Sequence, residues 1–124
     1  DMLRDLDLRV PTLFVHGLLD QEDNFGGIAA YQALAAPEAN RGMVFLAVGP
    51  WNHGQSQRDG SSLGPFNWHS DTARWFRENE LLPFWDRYLK EGARETNRIS
   101  PDRALDERSV ALAVLAFDKC TTAV

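Results

Sequence analysis

The fold is decided by three stretches: VPTLFVHG at residues 10–17, GIAAYQALAA at residues 27–36 and GMVFLAVGPWNH at residues 42–53. The first and third contain short, continuous apolar runs, which are typical of strands buried on both faces of a parallel sheet. The middle stretch has apolar residues along one face of a helix and ends before Pro37. Strand, helix and strand at this spacing predict a βαβ unit and an α/β fold.

A polar, glycine-rich loop follows at residues 51–70, and a long helix is predicted over residues 72–90. Ser70 or Asp71 is the expected N-cap of this helix, because both side chains accept hydrogen bonds from free N–H groups. Pro83 is expected to kink the helix. The side chains expected to form its buried stripe are Trp75, Phe76, Leu82 and Trp85 or Leu89.

The composition fits one globular domain at most. Of 124 residues, 44% are hydrophobic and 25% are charged, which are ordinary values. The net charge of -5 and the pI near 5.1 disfavour nucleic acid as a partner, because phosphate binding needs a basic face. The longest apolar run, residues 110–117, is too short to span a membrane. The single cysteine, Cys120, excludes an internal disulfide and a cysteine-based zinc site.

We expect the chain to be a piece of a longer protein. It starts at Asp1 without a methionine, and residues 1–9 are charged throughout, unlike a signal peptide. Two parallel strands do not make a stable sheet alone, because both faces and both edges need cover. Either the chain dimerises, or further strands lie upstream of Asp1. The second alternative fits the abrupt start better.

Asp20 and His53 each follow the carboxyl end of a predicted strand, where catalytic groups of open α/β sheets lie. Neighbouring parallel strands bring both residues to one edge of the sheet. A histidine held by a carboxylate is the base half of a Ser-His-Asp triad. Asp before His is also the chain order of α/β-hydrolases. Spacing alone leaves open that Asp20 is a turn residue and that His53 is structural.

Two other interpretations of these loop residues, a calcium site and a nucleophile elbow, are excluded by the sequence. An EF-hand loop starting at Asp20 puts Phe25 at the required glycine and Tyr31 at the bidentate glutamate, so calcium of that type is excluded. GSSLG at residues 60–64 matches G-x-S-x-G as a string, but a nucleophile elbow needs a strand before the serine and a helix after it. Ser62 is therefore not the predicted nucleophile, and we expect that serine upstream of this chain.

Residues 10–90 resemble the C-terminal part of the catalytic domain of the α-amino-acid ester hydrolases. The wider group contains cocaine esterase, X-Pro dipeptidyl-peptidase and the glutaryl-7-aminocephalosporanic acid acylases. The resemblance rests on four strings in order, namely GLLDQED at residues 17–23, GPWNH at 49–53, GSSLGP at 60–65 and LPFWDRYLK at 82–90. It implies that residues 1–92 are part of an α/β-hydrolase domain.

The resemblance implies a role for each candidate residue. Asp20 would be the triad acid and His53 the triad base, while Glu22 and Asp23 would belong to a carboxylate cluster that holds the substrate's α-ammonium group. Trp51 is a candidate for lining the acyl pocket or for packing the core. The implied substrate is a small ester or amide with a free α-amino group, including acyl groups of β-lactam antibiotics. No metal or organic cofactor is implied.

The resemblance also implies a homo-oligomeric parent in the bacterial periplasm or outside the cell. Residues 93–124 depart from it, because they do not look like the family's jelly-roll domain. Two alternatives remain open. One is a related esterase or X-Pro-type peptidase in which Glu22 and Asp23 only complement the helix that follows. The other is a free-standing, non-catalytic module that has lost its nucleophile.

Overall fold

The computed structural model of the chain describes residues 2–90. The predictions made for residues 93–124, for the apolar run at 110–117 and for Cys120 lie outside the described residues. Within residues 2–90, no helix is both long enough and apolar enough to cross a lipid bilayer.

The predicted βαβ unit is present. Strand β1 (Thr12–Gly17) runs parallel to β2 (Val44–Gly49), with Thr12 beside Val44 and Gly17 beside Gly49. Helix α1 (Gly26–Ala35) and a short 3₁₀ turn (Glu38–Asn40) connect the two strands. Strand β1 begins two residues later than predicted, because Pro11 has no N–H to donate to the ladder. The N–H of Thr12 opens it by donating to the Met43 carbonyl at 2.8 Å.

Helices pack on both faces of this two-stranded sheet, but the strands are not fully buried as the apolar runs predicted, since Val15 on β1 is 40% exposed. Side chains alternate between the faces along each strand. On one face, helix α1 packs on both strands and buries Ala33 and Leu34. On the other, Leu13 and Ala47 pack against a core cluster formed by Trp51, Ala73 and Phe76. The sheet is therefore a central layer between helices.

A buried asparagine joins the N-terminal segment to the end of α1. Asn40 is almost fully buried, and its side chain accepts the N–H of Leu8 and donates to the carbonyls of Leu6 and Leu34, each at 2.8 Å. These bonds satisfy a polar group that would be costly to bury alone. The N-terminal residues before β1 are thereby held against the fold.

The loop after β2 contains more structure than the sequence indicated. A 3₁₀ turn (Gln55–Gln57) is followed by a small antiparallel hairpin of β3 (Ser62–Leu63) and β4 (Phe66–Asn67). The chain reverses at Gly64, whose φ of 55° lies in the left-handed region that favours glycine. Ser62 is thus followed by a turn and a second strand instead of a helix, so it lacks the geometry of a nucleophile elbow.

The predicted long helix has three segments. Helix α2 (Thr72–Phe76) passes into a π-helical segment (Arg77–Leu81) and then into α3 (Leu82–Leu89). Asp71 is the N-cap, as expected, and its Oδ1 accepts the N–H of Arg74 at 2.9 Å. Pro83 lies in the first turn of α3. Its missing N–H therefore falls just after the point where the helix leaves π geometry.

The predicted buried stripe of this helix is wrong beyond Phe76. Leu82, Trp85 and Leu89 are exposed. The side chains that meet the core instead are Leu81, which packs on the Trp51 cluster, and Phe84 and Tyr88, whose rings lie 5.3 and 5.7 Å from that of Phe45. A π turn contains more residues than the 3.6 of an α turn, because its hydrogen bonds run between residues i and i+5. The step from residue 76 to residue 81 therefore shifts the core face away from the one predicted.

This correction can be tested with two adjacent aromatic residues. Replacing Phe84 by Ala should lower the free energy of unfolding by about 2 kcal/mol, because it removes a ring packed on Phe45. Replacing exposed Trp85 by Ala should change it by no more than about 0.5 kcal/mol. Urea unfolding of both variants measures the difference. An equal loss, or a larger loss for Trp85→Ala, would restore the predicted stripe.

Candidate active site

The loops that follow β1 and β2 are held against each other. Beyond the strand ends, the N–H of Leu18 donates to the Gly49 carbonyl at 2.9 Å, and the N–H of Leu19 donates to the Trp51 carbonyl at 3.0 Å. A Cβ at Gly17 would lie only 2.4 Å from that Trp51 oxygen, so this close approach requires glycine. These contacts bring Asp20, in the loop after β1, close to His53, in the loop after β2.

Asp20 and His53 form a hydrogen-bonded pair at this edge of the sheet. Oδ2 of Asp20 lies 3.0 Å from Nδ1 of His53. The other oxygen, Oδ1, accepts the backbone N–H groups of Glu22 at 2.8 Å and Asp23 at 3.1 Å. Asp20 is only 8% exposed. Both oxygens of a nearly buried carboxylate are therefore engaged, and the carboxylate is fixed relative to the imidazole.

The contacts of Asp20 keep it ionised. Burial alone raises the pKa of a carboxyl group, but the two backbone N–H donors and the bond and charge of His53 outweigh it and lower the pKa of Asp20. An ionised carboxylate can only accept hydrogen bonds, so Nδ1 of His53 is the donor in this pair. In the neutral ring, Nε2 is then the free acceptor, as a general base requires.

The His53 side chain remains partly accessible to solvent. It is 56% exposed, while the Asp20 end of the pair is buried. The arrangement can take a proton at Nε2 from a hydroxyl group placed next to it, and the carboxylate of Asp20 would stabilise the resulting imidazolium.

Glu22 and Asp23 lie beside this pair but are not equivalent. The Glu22 side chain is 64% exposed, and its Oε2 lies 4.0 Å from Nε2 of His53. Asp23 instead holds the start of α1, since its Oδ1 accepts the N–H groups of Gly26 and Phe25. These two bonds lower the pKa of Asp23, with a smaller contribution from nearby His16. Both groups add negative charge to the His53 edge, but half of the Asp23 carboxylate is already used.

Trp51 lies in the core. It is 3% exposed, its Nε1 donates to Oγ1 of Thr72 at 3.0 Å, and its ring centre lies 5.1 Å from that of Phe76. These contacts show that the indole of Trp51 packs in the core. Its role in lining an acyl pocket stays a prediction.

Sequence reasoning missed two residues around the site. His16 is buried on β1, and a Cβ at Gly27 would lie 3.1 Å from its Nδ1, so it packs under the start of α1. The sequence signal for His16 was its position at the end of an apolar run. Gln55 is buried in the loop that carries His53, and only its place two residues after the histidine distinguishes it. Among residues 2–90, no group of three or more His, Cys, Asp or Glu side chains is arranged to hold a metal ion.

Comparison with solved structures gives clear matches. An aminopeptidase from the marine sediment archaeon Thaumarchaeota archaeon is 48% identical over 73% of this chain, with a TM-score of 0.67. A selenomethionine-labelled α-amino acid ester hydrolase is 46% identical over 73% of the chain, also with a TM-score of 0.67. The resemblance to the α-amino-acid ester hydrolases is confirmed.

The chain spans 15% of the length of each of these two proteins. No protein-family model matches it, and a search of curated proteins found no match. The α/β layer of parallel strands and helices in residues 2–90 is consistent with the part of a hydrolase fold that the resemblance implied.

The ionised state of Asp20 can be tested through the pH dependence of stability. Asp20→Asn keeps an oxygen for the two N–H groups but removes the charge. A carboxylate whose pKa is below its ordinary 3.8 in the folded chain stabilises the fold at higher pH, and this contribution is lost as pH falls through the folded pKa. We expect Asp20→Asn to be less stable than the native chain at neutral pH, and the difference to shrink on acidification.

Urea unfolding at neutral pH and at about pH 3 measures this difference. Asp5→Asn, which changes an exposed carboxylate outside the site, is the control and should track the native chain at both pH values. A stability deficit of Asp20→Asn that stays constant with pH would contradict an ionised Asp20 in the folded chain.

Proposed function

We propose that this chain carries the acid and base of a Ser-His-Asp hydrolase that acts on α-amino acid esters and amides, including the acyl groups of β-lactam antibiotics. The observation that carries the proposal is the 3.0 Å contact between Oδ2 of Asp20 and Nδ1 of His53. The pair lies at the carboxyl end of two parallel strands, where α/β enzymes collect their catalytic groups. The hydrolases matched among solved structures support the same class of reaction.

In this mechanism, His53 is the proton carrier. Its Nε2 accepts the proton of a serine hydroxyl as the serine oxygen attacks the substrate's carbonyl carbon, and Asp20 stabilises the imidazolium. His53 then returns the proton to the leaving alcohol or amine, which leaves an acyl-enzyme. Water, or the amine of a β-lactam nucleus, attacks that acyl group by the same proton transfers in reverse. The serine would come from outside residues 2–90.

Selectivity for a free α-amino group would come from the acidic edge. Glu22 lies 4.0 Å from the histidine and Asp23 is the next residue of the same loop, and their negative charges favour a protonated amine beside the scissile acyl carbon. Glu22 has the more available carboxylate of the two, because Oδ1 of Asp23 is bonded to the start of α1. Both matched structures are of enzymes named for an amino group of their substrates.

The contacts of Asp23 also favour a second candidate function. If Asp23 serves only to hold α1, the enzyme is a related esterase or X-Pro-type peptidase without α-amino selectivity. In that case Asp20 and His53 keep their roles and the two acids do not discriminate between substrates. The two candidates therefore differ in the response of Glu22 and Asp23 variants, while they agree on His53.

The proton-carrier role is tested by comparing two histidines in the full-length protein that carries this chain. His53→Asn should lower kcat by at least about 10⁴-fold, because neither proton transfer has a carrier. His69→Asn is the matched control. His69 is exposed with a φ of 58°, a conformation that asparagine tolerates, so its activity should be unchanged. Equal activity of the two variants would remove His53 from the mechanism.

The selectivity proposal is tested with a pair of esters that differ only in having an amino group or a hydrogen on the α carbon. Glu22→Gln should raise KM for the amino ester by roughly 3- to 10-fold and leave the desamino ester unaffected, because it removes one charge facing the ammonium. Asp23→Asn keeps the oxygen that holds α1 and should have the same sign with a smaller size. Unchanged KM for both esters in both variants would favour the second candidate.

A further inference from the structure

Gln55 has contacts that the proposed mechanism does not use. It is 8% exposed, and its side-chain amide makes three hydrogen bonds. Oε1 accepts the N–H of Asn52 at 3.1 Å, while Nε2 donates to the carbonyl of Asp59 at 3.0 Å and to that of Ser62 at 2.8 Å. A primary amide offers both donors and acceptors, and here it joins two separate stretches of backbone.

The first of these stretches contains His53. Besides accepting from Asn52 through its side chain, Gln55 donates its own backbone N–H to the Asn52 carbonyl at 3.1 Å. Asn52 and Gln55 are therefore bridged twice, and the bridges enclose His53 and Gly54. Gly54 has a φ of 69°, so the chain turns sharply directly after the histidine. The backbone of His53 lies inside a small closed loop.

This closure matters because packing does not fix the histidine ring. The His53 side chain is 56% exposed, and its Asp20 bond acts on the ring alone. Arg58 also donates to the His53 carbonyl, at 2.9 Å, but that contact is exposed. A buried hydrogen bond competes less with water than an exposed one. The amide of Gln55, on a side chain that is 8% exposed, is thus a better-shielded restraint on the loop that carries His53 than the contact of Arg58.

The second stretch is anchored to a helix. Gly60 donates its N–H to Oδ1 of Asp71 at 2.9 Å, and its carbonyl accepts the hydroxyl of Thr72 at 2.8 Å. A Cβ at Gly60 would lie 2.6 Å from the backbone nitrogen of Ala73, so the segment rests directly on the start of α2. The GSSLG motif, which has no elbow geometry, supplies the anchored carbonyl of Ser62 that Gln55 holds.

We propose that Gln55 is a positioning residue for His53: its buried amide ties the histidine loop to the GSSLG segment on α2 and so keeps Nδ1 of His53 on Asp20. The inference rests on the proposed function for its catalytic consequence, since a misplaced His53 costs rate only if His53 carries protons. The geometric part stands without it, because the bond from Asp20 to His53 is observable in the chain itself.

The test compares Gln55→Met with Gln57→Met in the 124-residue chain. Methionine keeps the length of glutamine but makes none of the three bonds, and Gln57 is exposed two residues further along. Nitrogen-15 NMR of the imidazole rings reports the tautomer of His53, with His16 and His69, the other two histidines, assigned by substitution. In the native chain and in Gln57→Met, Nδ1 should carry the proton. In Gln55→Met, the two ring nitrogens should shift toward tautomer-averaged values.

An unchanged His53 tautomer in folded Gln55→Met would overturn the proposal. If Gln55→Met does not fold, Gln55→Glu replaces it, because glutamate keeps the shape and the acceptor for Asn52 while it loses the two donors and places a negative charge against the two carbonyls. The His53 nitrogens of Gln55→Glu are then compared with those of Gln57→Met, and a shift smaller than that expected for Gln55→Met would support the proposal. An unchanged His53 tautomer would overturn it.

Kinetics of the full-length protein separate this proposal from the proposed function. Gln55→Met should lower kcat about 10- to 100-fold with little change in KM, the effect expected of a displaced proton carrier. Full activity in Gln55→Met would overturn the positioning role and leave the proposed function intact. A native protein without hydrolase activity would overturn the proposed function, and the tautomer measurement would still decide the role of Gln55.

Discussion

The site depends on the parallel register of β1 and β2, which sets Gly17 beside Gly49. Because the strands run in the same direction, the two loops leave the sheet at one edge. Two backbone hydrogen bonds then keep the loops together just beyond the strand ends. Asp20 and His53 are 33 residues apart in sequence, yet their separation in space is set by this short ladder. The absence of a side chain at Gly17 allows the approach. The proximity of Asp20 and His53 is therefore a product of backbone geometry before any other side chain is considered.

Asp20 and His53 differ in how far they are enclosed by the protein. Asp20 is enclosed by donors and held ionised, whereas the His53 side chain remains partly accessible to solvent. A proton carrier benefits from this difference, since one end of the ring is fixed while the side chain stays accessible. The two neighbouring acids also differ in how far their carboxylates are already engaged. Asp23 is partly used by the start of α1, and Glu22 remains available to a ligand.

The sequence was sufficient wherever a local rule determined the outcome. The apolar runs predicted the two parallel strands, and residue type and position indicated Ser70 or Asp71 as the N-cap, of which the structure has Asp71. The chain order of Asp20 and His53, read with the flanking strings, identified the pair. The helix face at Leu82, Trp85 and Leu89 was wrong because an assumed period of 3.6 contains no sign of a π turn. Gln55 was missed for a different reason. Its three partners are backbone groups, which leave no trace in residue identity.

The π segment at residues 77–81 also determines which genetic changes this part of the chain tolerates. None of its side chains is fully buried, but Leu81 packs on the Trp51 cluster and Arg77 donates to the carbonyls of Ser56 and Arg58. Loss of a single residue differs from a substitution, because it would turn all of α3 by about 100° relative to the sheet and point Phe84 and Tyr88 into solvent. The segment acts as a spacer whose length is constrained more strictly than the identity of its exposed residues. Related chains should therefore keep the same number of residues here even where exposed residues such as Glu78 differ.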